Sequence, residues 1–183
     1  LYDADIIRAV VNRLRAHQAE NIVLDPVMMS SSGQALLQED AARVLLDELF
    51  PICTLVTPNL HEAAAICGRP ITSRADMEQA AQEIAAKTHG AVLVKGGHLA
   101  DCADDLLFDG EALHWLPAPR IDNPNTHGTG CTLSSSIASG LALGLSMLGS
   151  VKRAKRYLTA CIDYQLDLGH GSGPLQHRVS WAK

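Results

Sequence analysis

Two sets of residues in this chain could do chemistry. The first is THGTGCT, residues 126–132. Gly128 and Gly130 bracket Thr129, Cys131 follows at once, and a small and aliphatic run, SSSIASGLALGLSML, continues beyond it. Glycines let backbone N–H groups converge without a Cβ in the way. A helix starting there adds its positive end, so the turn reads as an anion cradle. The same field favours a thiolate at Cys131. That cysteine could be a nucleophile, a proton acceptor or a metal ligand; a glycine turn leading into a tightly packed helix with an inert cysteine explains GTGC equally well. It is not a Walker A sequence, because no Lys-Ser or Lys-Thr follows.

The second set sits where short aliphatic stretches end in polar groups. Asp25 follows Ile22-Val23-Leu24, Thr57 and Asn59 follow Leu55-Val56, and Lys95 follows Ala91–Val94. Glu62 comes three residues after Asn59, in the first turn of a predicted helix. Each has a plain alternative: Asp25 before Pro26 as a turn former, Asn59 as a helix cap, Glu62 as a partner of the helix dipole, Lys95 as a solvated loop residue. Together they suit a metal-bound polyphosphate. Mg²⁺ takes oxygen ligands, often one or two carboxylates plus phosphate oxygens, and a lysine offsets phosphate charge as a point cation.

The elements that must position these groups follow from periodicity. Ile6, Ile7, Val10, Val11 and Leu14 predict one helical face between Asp3, a plausible N-cap, and His17. NIVLDP predicts a strand stopped by proline, EDAARVLLDELF a helix, TLVTPN a second strand, and LHEAAAICG a helix closing on Gly68. SRADMEQAAQEIAAKTHG predicts a helix capped by Ser73 and ended near Gly90, followed by the strand AVLV. Asp109-Gly110 between two alternating stretches signals a hairpin. The opening motif then leads its own helix. VKRAKRYLTACIDYQLDLG predicts the last long helix, with Gly169 at its end, and a glycine-rich tail closes the chain. Strand–helix alternation argues for an α/β layered sheet, largely parallel, with the hairpin as an antiparallel addition. In such sheets ligands bind beyond the carboxyl ends of the strands, which places Asp25, Asn59, Glu62 and Lys95 along one rim, with the glycine turn expected on the same rim.

Composition limits the function class. A chain of 183 residues, 47% apolar and 19% charged, is most simply a single domain over 1–183 with a sizeable core. Net charge −5 without a basic run leaves no electrostatic footprint for nucleic acid. The longest apolar run, near 137–148, is broken by Ser and Gly and is too short for a bilayer-spanning helix. Five cysteines at irregular spacing, with no CxxC, argue against a disulfide framework or zinc knuckle and for a reducing cytoplasm.

The ordered set LDPVM, TPNLHEA, VLVKGG, NTHGTGCTLSSSIAS and GHGSGP resembles the hydroxymethylpyrimidine/phosphomethylpyrimidine kinases of thiamine biosynthesis, members of the ribokinase-like kinases, across essentially the whole chain. The resemblance implies a ribokinase-like three-layer sandwich and ATP-dependent phosphorylation of 4-amino-5-hydroxymethyl-2-methylpyrimidine and then of its monophosphate. Carried over by position, Gly128, Thr129 and Gly130 match the anion hole around the transferred phosphoryl group, and Cys131 stands where most ribokinase-like enzymes have an aspartate base. Asp25, Asn59 and Glu62 match polar positions near Mg²⁺ and the phosphates, Lys95 matches a phosphate-side lysine, and Val27 matches a residue lining the pyrimidine pocket. His170 and Gly171 fall in a matching tail segment without an assignable role. The resemblance also implies a homodimer. It places Leu1 about a third of the way along the family's chain, after a glycine-rich segment and several sheet strands, so an open sheet edge is expected. Three alternatives stand beside this reading: a pyridoxal kinase of the same fold, an inactive nucleotide-binding fragment, and a hydrolase using Cys131 with His127 or His98.

Overall fold

The first helix, α1 (Ala4–Ala16), starts where Asp3 leaves helical geometry and its carboxylate accepts the Ile6 N–H at 2.8 Å, satisfying one of the donors that a helix start leaves unpaired. The computed structural model describes residues 1–28, 37–97, 103–123, 127–166 and 173–180. The chain divides into two compact units, Leu1–Pro117 and Ala118–Lys183.

In the first unit, α1 buries Ala4, Ile7 and Val11, with Leu14 packed beside them. Ile6, expected on the same face, is 45% exposed. Neighbouring residues stand about 100° apart around a helix, so Ile6 and Ile7 cannot both point at one core. Strands β1 (Val23–Leu24), β2 (Leu55–Val56) and β3 (Ala91–Val94) pair in parallel, in that order. The hairpin β4 (Asp105–Phe108) and β5 (Leu113–Leu116) adds two antiparallel strands beyond β3. The sheet is therefore mixed, with the parallel part at the end that carries the polar strand-end residues.

The helices follow their caps. α2 (Glu39–Val44) runs on through a π turn at Leu45–Leu49 and a 3₁₀ turn at Phe50–Ile52. The expected single helix is thus one helical run whose winding changes twice before Pro51, which lacks the N–H a continuing helix needs; Leu45, Leu49 and Phe50 are all buried. α3 (Leu60–Cys67) closes on Gly68. α4 (Arg74–Thr88) carries a reciprocal capping box between Ser73 and Asp76 and ends at His89, one residue before the expected Gly90, with His89 in the left-handed region at φ 56°. The hairpin link is four residues, with the Asp109 carboxylate accepting the Glu111 and Ala112 N–H groups at 3.0 and 2.8 Å. Trp115 on β5 donates its indole N–H to Glu78 on α4 at 2.9 Å, and Arg74 stacks over its ring at 4.2 Å.

The second unit is a helical hairpin. α5 (Thr129–Ala142) and α6 (Met147–Asp163) pack on one another through Leu133, Ile137, Leu141, Val151 and Ala154. The small and aliphatic run after GTGC is not one helix. It breaks at Leu143–Ser146, where Gly144 has φ +80° and Ser146 caps α6 by accepting the Gly149 N–H. α6 ends at Asp163, earlier than the sequence pattern suggests; Gly169, His170 and Gly171 lie outside the described residues. No helix among the described residues is long and apolar enough to cross a membrane.

Candidate active site

Backbone pairing carries the first unit's polar residues to one rim. The Thr57 N–H donates to Leu24 O at 2.9 Å and the Lys95 N–H to Pro58 O at 2.8 Å, and Asn59 bridges Lys95 in parallel register. The β1–β2–β3 ladder therefore continues past the strands, and Asp25, Thr57, Asn59 and Lys95 stand side by side at their carboxyl ends. Gly96 is fixed by crowding: a Cβ there would lie 1.8 Å from the Asp104 carbonyl oxygen, while its N–H donates to the Asp105 carboxylate at 2.9 Å. The glycine after Lys95 thus lets the β3 exit pass against the start of the hairpin.

The side chains interlock. Lys95 Nζ lies 2.6 Å from Asp25 Oδ1, with side-chain exposures of 16% and 11%. Thr57, fully buried, donates its hydroxyl to the same Asp25 oxygen at 3.2 Å. Asn59 caps α3: its Oδ1 accepts the Glu62 N–H at 2.9 Å, and the Glu62 carboxylate accepts the Asn59 N–H at 2.7 Å. Glu62 is 2% exposed. Burial pushes its carboxyl above the usual range, opposed by the Asn59 and Met28 backbone hydrogen bonds and by Lys95. Val27 sits two residues past Asp25, 45% exposed, its N–H on the Asp25 carbonyl at 2.9 Å.

The cation expectation can be tested against this geometry. Among the described residues, no group of three or more His, Cys, Asp or Glu side chains is arranged to hold a metal. Asn59 Oδ1 is engaged in its cap and Glu62 is shared with backbone N–H groups, whereas Asp25 Oδ2 takes no hydrogen bond among the described residues. Such a donor set suits a Mg²⁺ that brings phosphate and water oxygens with it, and not a cation caged by protein alone.

In the second unit Gly128 precedes α5 with φ +82°, a left-handed conformation that a side chain would strain, and no side chain caps the helix. The first intrahelical bond is Thr132 N–H to Gly128 O at 2.9 Å. The N–H groups of Thr129, Gly130 and Cys131 therefore have no hydrogen-bond partner among the described residues, as at any uncapped helix start. Cys131 is exposed and opens onto a groove of about 500 Å³ lined by Ser135 and Ser139 along α5, Arg153 and Tyr157 on α6, and His177. His127 is exposed and makes no hydrogen bond to Cys131; His98 lies outside the described residues. The hydrolase alternative thus gains no base from His127. Sequence reasoning missed the Asp25–Lys95 ion pair, formed across 70 residues of chain, and the contact between Thr57 and Asp25. The proline-stopped strands were the only signal that Asp25 and Thr57 end on one rim.

The mixed sheet flanked by helices is a ribokinase-like α/β fold, with acid, amide and lysine at its strand ends. The phosphomethylpyrimidine kinase family model matches residues 1–176, and the chain belongs to that family. A hydroxymethylpyrimidine/phosphomethylpyrimidine kinase from Rhizobium meliloti is 47% identical, over 98% of this chain and 68% of its own length. The crystal structure of a Clostridium difficile phosphomethylpyrimidine kinase is similar at TM-score 0.76 and 35% identity, over 87% of this chain and 64% of that one. An ADP complex of Bacillus subtilis pyridoxal kinase is similar at TM-score 0.87 and 34% identity, over 96% of this chain and 66% of that one. The chain spans about two thirds of the length of these proteins.

Proposed function

We propose that residues 1–183 belong to a single kinase domain that transfers the γ-phosphoryl group of ATP to 4-amino-5-hydroxymethyl-2-methylpyrimidine and to its monophosphate, in the cytoplasm and as a homodimer. The observation that carries the reading is the row Asp25, Asn59, Glu62, Lys95 at the ends of β1–β3, within a chain of this family. Asp25 and Glu62 would hold Mg²⁺, which when bound neutralises phosphate charge; Asn59 holds α3 and Glu62 in place. Lys95 meets the phosphate oxygens. The Thr129, Gly130 and Cys131 N–H groups hydrogen-bond the equatorial oxygens of the group in transfer, the largest contribution a protein makes to such a reaction. In the first transfer the substrate hydroxymethyl oxygen, and in the second a phosphate oxygen of the monophosphate, bonds to the γ-phosphorus as the β–γ bridging P–O bond breaks and ADP leaves. In the first transfer the hydroxyl proton passes to the Cys131 thiolate, which becomes the thiol. Val27 lines the ring pocket.

The test is ATP-dependent phosphorylation by the chain, assayed with the pyrimidine, its monophosphate and pyridoxal in parallel. The expected result is Mg²⁺-dependent turnover of both pyrimidines, well ahead of pyridoxal. Preference for pyridoxal would favour the pyridoxal kinase reading, and nucleotide binding without turnover the inactive-fragment reading.

A further inference from the structure

Thr57 has no role in the reading above, yet its hydroxyl meets the Asp25 carboxylate. It is fully buried. Its N–H holds the Leu24 carbonyl at 2.9 Å, and its hydroxyl donates to Asp25 Oδ1 at 3.2 Å, with the Leu24 carbonyl a poorer acceptor at 3.5 Å. Asp25 Oδ1 thus receives two donors, Thr57 and Lys95 Nζ, while Oδ2 receives none among the described residues.

The two donors differ in what they can do. An ammonium on a four-carbon stem is a mobile point charge that an arriving phosphate attracts. A buried, β-branched hydroxyl has a stiff χ1 and cannot follow. If Lys95 turned to phosphate with Thr57 absent, the Asp25 carboxylate would be free to rotate, since its terminal torsion is broad. We infer that Thr57 is a positioning residue for Asp25: it anchors Oδ1, keeps Oδ2 available to a divalent cation, and maintains that orientation when Lys95 leaves the carboxylate. This rests on the kinase reading for the identity of the arriving phosphate.

The test is Mn²⁺ binding by the full chain in the presence of ADP, read from the free-Mn²⁺ signal in electron paramagnetic resonance, for wild type, Thr57→Val, Thr57→Ser and Asp25→Asn. Valine keeps the shape and burial of threonine and removes only the donor; serine keeps the donor. Thr57→Val is expected to weaken Mn²⁺ binding about tenfold, towards the Asp25→Asn value, with Thr57→Ser within about twofold of wild type. Wild-type affinity in Thr57→Val, equal loss in Thr57→Ser and Thr57→Val, or no Mn²⁺ uptake by wild type would each overturn the inference. The kinase reading fails separately: the variants would rank as expected while the wild-type chain transfers no phosphate to the pyrimidine.

Discussion

Lys95 and Asp25 show how far a single pair can be read from sequence. Both stand out as polar residues ending aliphatic strands, but their contact at 2.6 Å joins positions that no local pattern relates. Both side chains are mostly buried, so removing one leaves the other poorly solvated. Lys95→Met is expected to cost about 2–3 kcal/mol in urea denaturation, less than at a fully dry site because some water contact remains. Adding Asp25→Asn should recover a large part of that loss; additive costs to within about 0.5 kcal/mol would show that the two residues are not coupled. Cys131 was legible as a candidate and not as a role. Because a loose phosphoryl-transfer transition state asks little of a base, Cys131→Ala should retain measurable turnover and Cys131→Asp should retain more. Wild-type rates in both Cys131→Ser and Cys131→Ala would remove the proton-acceptor role. Burial pushes the Cys53 thiol up to about 12 and, with the neighbouring Glu83 carboxylate, the Cys67 thiol up to about 11, which leaves these two thiols unreactive.

At the scale of elements, three helix starts were read well, because a cap is a local signal: Asp3, Asn59 and Ser73 all accept the N–H three residues on, whereas the last long helix starts at Met147 under the unread cap Ser146, four residues before the expected Val151. Changes of winding and breaks inside apolar runs were not read, since Leu45–Leu49 and Leu143–Ser146 keep a helix-like composition while tertiary packing decides their geometry. Two local hydrogen-bond clusters bear on acid stability. Backbone and hydroxyl donors from Thr72 and Ser73 lower Asp76 from 3.8 to about 2, and the Ala112 N–H, with His114 and the Glu111 N–H, lowers Asp109 likewise to about 2. Carboxyls depressed on folding add stability above their unfolded value and lose it as pH falls through the folded one. Melting temperature should therefore drop between pH 3.8 and about 2, and the Asp76→Asn/Asp109→Asn double variant should start lower and fall less. Parallel curves would reject the assignment. In the second unit Ser150 Oγ is buried without a partner among the described residues. A buried unpaired hydroxyl costs stability, so Ser150→Ala should hold or raise the melting temperature; a clear drop would mean the hydroxyl has a partner in solution.

The whole molecule adds a question about association. Among the described residues β1 has β2 on one side and no strand on the other. An edge strand presents backbone groups that can pair with another chain. Here β1 is short, which limits that pairing, so apolar contact must contribute most of any stable association. The first unit supplies it at the start of α1, where Leu1, Tyr2 and Ile6 are 50%, 61% and 45% exposed. Exposed apolar side chains grouped at one helix start favour association. The chain is therefore expected to self-associate, with a mass by light scattering that rises with concentration. Tyr2→Lys/Ile6→Lys should hold it at the monomer mass without lowering its melting temperature, because neither side chain belongs to the buried core. The folded-state melting control separates loss of association from loss of structure. A mass independent of concentration in the wild-type chain, or one unchanged by the two lysines, would exclude the α1 start as the contact.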